Sequence, residues 1–167
     1  TAGAVRLIRE AKKRGVKITA ETAPHYFTLT DEALQQYNTH LKVNPPLRSA
    51  ADLDALKEGL ADDTIDVIAC DHAPHARTDK EVEFAYASSG ISGLETSLGL
   101  SLALVSDGTL SWSKLVEKMS TNPARILNLP KGTLAPGANA DITVIDPILR
   151  WTVNVDTFRS RGKNSPF

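Results

Sequence analysis

Five consecutive residues, Asp71-His72-Ala73-Pro74-His75, concentrate more acid–base and ligand chemistry than any other stretch of the chain. They follow an apolar run, Ile65–Cys70, that reads as a short buried strand. Strand C-termini are where α/β folds assemble sites. A carboxylate followed by two imidazoles at such a point suits metal ligation or proton transfer. The plainer reading of the same residues is a polar loop start with Asp71 capping a turn. A second strand end, Glu21-Thr-Ala-Pro-His-Tyr26, carries His25, which reads as a ligand, a partner to one, or a satisfied structural histidine. Asn44-Pro45-Pro46-Leu47-Arg48 is a loop stiffened by prolines. Its Asn44 amide can both donate and accept, either for recognition or within a simple turn. Gly90 permits close backbone approach of a ligand, or serves a turn. His40 falls in a polar loop and is expected on the surface. Cys70 reads as a buried strand residue, with nothing nearby that marks it as a nucleophile.

The elements that must position these residues alternate. Ala4, Leu7, Ile8 and Ala11 share a helical face, with Lys12, Lys13 and Arg14 toward its end and Gly15 as its stop. Val16–Thr22 reads as a strand, and Thr30 and Asp31 start a short helix running to about Tyr37. Ser49 with Asp52 predicts a helix start carrying Leu53, Leu56 and Leu60 on one face. Residues 71–90 form a long polar loop of the kind that is functional or disordered. Leu94–Val105 reads as a largely buried helix. Ser111 caps another, and Pro123 opens a third that ends near Leu127. Beyond Pro130, glycine, proline and alternation at Ile142, Val144, Trp151 and Val153 predict short β-strands. The expected division is residues 1–130 and 131–167.

This order predicts an α/β protein with a parallel sheet. Two parallel strands make a poor sheet, because such sheets are buried on both faces. The chain therefore reads as part of a larger domain. A (β/α)8 barrel needs roughly 250 residues, of which this chain supplies about a quarter. The chain begins with Thr1, and its one methionine is Met119, which leaves either processing or an upstream part.

Composition sets the outer bounds. The 167 residues are 41% apolar and 23% charged, with a net charge of −1, the balance of a globular protein with no electrostatic reason to bind nucleic acid or an anionic membrane. No apolar run approaches the length of a membrane span. A single cysteine excludes an intrachain disulfide and fits a reducing cytoplasm.

Together, four stretches resemble the dihydroorotase family in its bacterial multifunctional-type branch. They are Glu21–Tyr26, Lys42–Arg48, Asp66–His75 and Gly90–Thr96. Met119–Leu127 and Gly132–Asp146 agree with it. The resemblance implies a (β/α)8 TIM barrel with a small β-sandwich, in which Val16–Thr22 is strand seven and Ile65–Cys70 strand eight. Most metal ligands would then lie in an N-terminal half that this chain lacks. It implies that Asp71 is a metal ligand and the catalytic acid–base, that Asn44 and His75 bind substrate, and that Ser89 and Gly90 contribute a main-chain contact. His25 matches no ligand position. The implied cofactor is Zn2+, one ion or two. The implied reaction is reversible hydrolysis of dihydroorotate to N-carbamoyl-aspartate in pyrimidine biosynthesis. The resemblance also allows a homodimer or an aspartate transcarbamoylase partner. Alternatives are an allantoinase- or hydantoinase-type hydrolase, or a non-catalytic scaffolding homologue.

Overall fold

The computed structural model describes residues 1–167. Helix α1, Ala2–Lys13, begins where the Thr1 side chain accepts from the Ala4 N–H, and its last turn carries Lys12 and Lys13 against the negative end of the helix dipole. Gly15 follows with φ of 79°, a left-handed conformation that turns the chain away from the helix. Helix α2, Ala50–Ala61, starts at Ser49, whose hydroxyl accepts from the Asp52 N–H. Its Gly59 sits against Val5 and Ile65. A Cβ there would lie 3.0 Å from Val5 Cγ1 and 3.1 Å from Ile65 Cδ1, so a larger residue would crowd the contact of α2 with α1.

The sheet is a parallel pair. Strand β1, Glu21–Thr22, faces β2, Val67–Ile68, in the register Glu21 to Val67 and Thr22 to Ile68. Both are shorter than the expected Val16–Thr22 and Ile65–Cys70. A ladder extends only where two backbones face each other, and Val16 and Ile18, 51% and 40% exposed, have no neighbouring strand. Asp66 anchors the start of β2: its carboxylate accepts from Lys12 Nζ at 2.7 Å and from the Ala20 N–H at 2.9 Å.

The main core gathers Val5, Phe27, Leu60, Ile65, Ile68, Leu104, Leu110 and Leu115. A smaller one, Leu41, Val43, Leu47 and Ile91, lies under the loops that leave the sheet. The polar stretch 71–90 contains one short helix, α3 (Arg77–Lys80). Helix α4 spans Ser97–Ser106. The two helices expected around Ser111 and Pro123 are one continuous run. Helix α5, Trp112–Val116, widens into a π-helical turn at Glu117–Thr121 and continues as α6, Asn122–Ile126. Pro123 has no N–H to give, so a widened turn just before it absorbs the missing bond.

The strands expected beyond Pro130 are not formed. Residues 131–167 contain only a 3-10 turn at Val155–Thr157, and Ile142, Val144 and Trp151 are exposed. Alternating side chains supply a face, but a strand also needs a backbone beside it. No helix is long and apolar enough to cross a membrane.

Candidate active site

Two clusters form where the chain leaves β1 and β2. The first surrounds Asp71, three residues past β2. Its φ of 49° is left-handed, which an aspartate tolerates better than most residues, and its carboxylate is 55% exposed. His25 stands on the turn Pro24–Phe27 that follows β1 and is 2% exposed. Its Nε2 lies 3.8 Å from Asp71 Oδ2, too far for a hydrogen bond, and has no other partner. Burial pushes the His25 pKa down to about 4, and the Asp71 carboxylate only partly opposes this, so the ring is neutral at pH 7. Tyr26 packs its ring on His25, with centroids 4.1 Å apart, and donates its hydroxyl to the Pro45 carbonyl at 2.7 Å. Burial, then the Asp71 charge, raise its pKa to about 12.

That bond fixes the Asn44 loop, whose Asn44–Pro45 peptide is cis, to the end of β1. The result is a cavity of about 490 Å³ lined by Glu21, Tyr26, Asn44, Arg48 and Asp71 among others. Its size and mixed lining suit a small polar molecule. Asn44 and Asp71 both line this space.

The second cluster holds His75, Ser89 and Gly90. His75 Nε2 lies 3.0 Å from the Ser89 carbonyl. Gly90 has φ of 143°, and a Cβ on it would come within 2.5 Å of Ala73 Cβ and 3.0 Å of His75 Nε2. Only glycine fits between these neighbours. The strand-like pairing of His72 with Ile91, and the Ala73 N–H donating to the Ile91 carbonyl at 2.9 Å, keep the two segments side by side. His72 itself turns away: its Nδ1 accepts from the Leu94 N–H. None of His75, Ser89 and Gly90 lines the Asp71 cavity. The clusters join through the Gly90 N–H, which donates at 2.8 Å to the carbonyl of Lys42, two residues before Asn44.

Two residues of the second cluster carried no signal in the sequence. Lys80, on α3, is 1% exposed. Asn164 is 2% exposed and reaches His75 across 89 residues of chain. A lysine in a polar loop gives no local sign of burial, and an asparagine near the chain end gives none of where it docks. His40 corrects another expectation. It is half-buried, with Nδ1 enclosed and unpartnered, and burial followed by the Lys80 charge lowers its pKa. Cys70 corrects a further expectation: it lies two residues past the end of β2 and is half-buried, not a buried strand residue.

No three histidine, cysteine, aspartate or glutamate side chains converge closely enough to hold a metal ion. A stable zinc site takes at least three protein ligands. Among the donors at the strand ends, the exposed Asp71 carboxylate is open to a cation.

A parallel strand pair flanked by helices, with its polar residues gathered at the strand C-termini, agrees with the family comparison. The model of the amidohydrolase family matches residues 1–165, and the chain belongs to that family. Over 167 residues it is 67% identical to the dihydroorotase of Syntrophus aciditrophicus and 61% identical to that of Pelobacter propionicus. In both cases the whole chain aligns, and it spans 39% of the relative's length. The solved L-hydantoinase (dihydropyrimidinase) of Arthrobacter aurescens superposes with a TM-score of 0.78 at 36% identity, over 83% of this chain and 32% of that one.

Proposed function

We propose that this chain is the C-terminal part of a dihydroorotase, in which residues 1–130 complete a (β/α)8 barrel and residues 131–167 contribute to a β-sandwich. In that frame β1 is strand seven and β2 strand eight. The observation that carries the reading is Asp71 at the end of β2, sharing a cavity with Asn44, in a chain 67% identical over its full length to a dihydroorotase. The same comparison favours dihydroorotate over a hydantoin or allantoin, because the hydantoinase likeness rests on 36% identity.

Hydrolysis of a cyclic amide adds water across the C–N bond. One proton must leave the attacking oxygen and one must reach the departing nitrogen. The Asp71 carboxylate, exposed on the cavity wall, accepts the first and delivers it as the second, so a single group serves two successive steps. Asn44 donates to and accepts from the edge of the ring and fixes its orientation. His75 and the Ser89 and Gly90 main chain are read as further substrate contacts from the family resemblance, reached beyond the cavity through the Lys42 and Gly90 link. A divalent metal, zinc in this reading, supplies the Lewis acid and lowers the pKa of water when bound, with Asp71 as this chain's ligand to it. One ion or two, the remaining ligands belong to the other part of the polypeptide. The reading also allows a homodimer or an aspartate transcarbamoylase partner. The reading sets the protein in the cytoplasm.

The test is hydrolysis of dihydroorotate by the full-length polypeptide supplied with zinc, with hydantoin and allantoin offered in parallel. Preferential turnover of dihydroorotate is expected. Preference for either other ring moves the assignment to that hydrolase, and a folded, metal-loaded but inert protein moves it to a scaffolding homologue.

A further inference from the structure

We propose that Asn164 and Lys80 are positioning residues, a buried clamp that holds the His75 loop and the Ser88–Gly90 backbone in the arrangement that receives substrate. This rests on the reading of His75, Ser89 and Gly90 as the substrate-binding edge.

Asn164 uses its side chain fully. Oδ1 accepts from the His75 N–H at 2.8 Å, while Nδ2 donates to the Ala73 carbonyl at 2.9 Å and to the Gly90 carbonyl at 3.0 Å. The orientation of the amide is dictated by its partners, since a backbone N–H can meet only the oxygen and two carbonyls only the nitrogen. Ser92 adds support. Its hydroxyl lies 2.8 Å from both Asn164 Oδ1 and the Gly162 carbonyl, and its N–H donates to the Asn164 carbonyl at 2.9 Å. Gly162 packs so closely on this loop that a Cβ would stand 2.6 Å from Pro74 Cβ and 2.8 Å from the His75 nitrogen. The segment 162–164 is therefore the floor on which the Asp71–His75 loop rests.

Lys80 works from the other side. Its ammonium donates to the Ser88 carbonyl at 2.7 Å and to the Gly90 carbonyl at 3.2 Å. The Thr39 hydroxyl fixes its backbone by donating to the Lys80 carbonyl at 2.6 Å. A buried ammonium is costly unless hydrogen-bonded, and an apolar side chain would fill the same space at less expense in free energy. Its partners are the residues on either side of Ser89. Gly90 thereby has its carbonyl held by two donors and its N–H held by Lys42. Of the Ser89–Gly90 main chain, the Ser89 N–H alone makes no bond within the protein, which leaves it as the donor free to meet a ligand.

The experiment compares wild type with Lys80→Met and Asn164→Asp in the full-length polypeptide. The first keeps the length of the side chain and loses its donors. The second is isosteric and sets carboxylate oxygen against the Ala73 and Gly90 carbonyls. Each is expected to raise KM for dihydroorotate roughly tenfold with a much smaller change in kcat, since orientation and not chemistry is lost. Hydrogen exchange across residues 86–92 is expected to accelerate in both. Unchanged exchange there, or a parallel fall in kcat and folded fraction at constant KM, overturns the clamp. Should Asn164→Asp not fold, Asn164→Ala carries the same comparison without a new charge. A wild type inert toward dihydroorotate sinks the functional reading alone, and the exchange comparison then still decides the clamp.

Discussion

The Nε2 of His75 lies 3.0 Å from the carbonyl oxygen of Ser89, and a carbonyl has no proton to give. Nε2 must therefore carry the hydrogen. Nδ1 is the ring nitrogen left for a ligand.

This assignment separates two substitutions of similar size. His75→Gln can place its amide nitrogen where Nε2 stands, so it keeps the Ser89 contact and loses the ligand-facing atom. His75→Asn does the opposite. His75→Gln is expected to raise KM by roughly tenfold with little change in melting temperature. His75→Asn is expected to lower the melting temperature as the Ser89 carbonyl loses its donor. Identical profiles for the two variants would mean that the ring nitrogens are not divided in this way.

Asp71 sits in a left-handed conformation that asparagine also tolerates, so Asp71→Asn tests the chemistry with the backbone unchanged. The amide cannot take up a proton. Turnover by the full-length polypeptide is expected to fall about 10²–10⁴-fold, with thermal unfolding unaltered. Activity within a few-fold of wild type would remove Asp71 from the acid–base role.

Gly90→Ala is expected to damage structure before function. Its Cβ would stand 2.5 Å from Ala73 Cβ at a φ of 143° that side chains rarely adopt. Overpacking and backbone strain together predict a loss of about 2–4 kcal/mol, measured by denaturant unfolding. A variant as stable as wild type would show that the Ala73 loop gives way freely, contrary to the fixed pairing of His72 with Ile91.

What the sequence disclosed, and what it withheld, divides along the range of the forces involved. Ser49 and Ser111 announced their helices because a cap is a contact three residues long, and both hydroxyls accept as expected. Asp71 stood out because strand ends collect polar residues, whereas Asn44 stood out only through the proline loop and the family resemblance, and the two line one cavity. The C-terminal strands do not form within this chain: alternation at Ile142 and Val144 records a face and says nothing about the partner needed to form a ladder. Lys80 and Asn164 were invisible for a related reason: burial of a polar side chain is decided by segments far away in sequence, here by Ser88–Gly90 and by the His75 loop.

Acid should weaken the packing of α5 and the following π-helical turn against β2 through one carboxylate. Lys118 is wholly buried, and its ammonium donates to Asp63 Oδ1 at 3.0 Å and to the Ile65 carbonyl at 2.7 Å. Lys114 approaches the same carboxylate at 2.8 Å. The hydrogen bond from Lys114, then that from Lys118, hold the Asp63 carboxyl below its ordinary value of 3.8. A depressed carboxylate stabilises the folded state above its unfolded pKa, and this contribution is lost as pH falls through the lower folded value. Asp63→Asn keeps the left-handed backbone at φ of 63° and removes the charge. At pH 7 it is expected to cost about 1–3 kcal/mol, toward the low end because Asp63 is half exposed. The difference from wild type should narrow as pH drops below 3.8 toward the lower folded value, through which the folded wild type itself loses the charge. Adding Lys118→Met to Asp63→Asn should restore part of the stability, because no ammonium is then left buried beside a neutral partner. Denaturant unfolding at pH 7 and near the acid limit of folding measures both effects. A gap between wild type and Asp63→Asn that stays constant with pH would show that the Asp63 carboxylate contributes through its shape and not its charge.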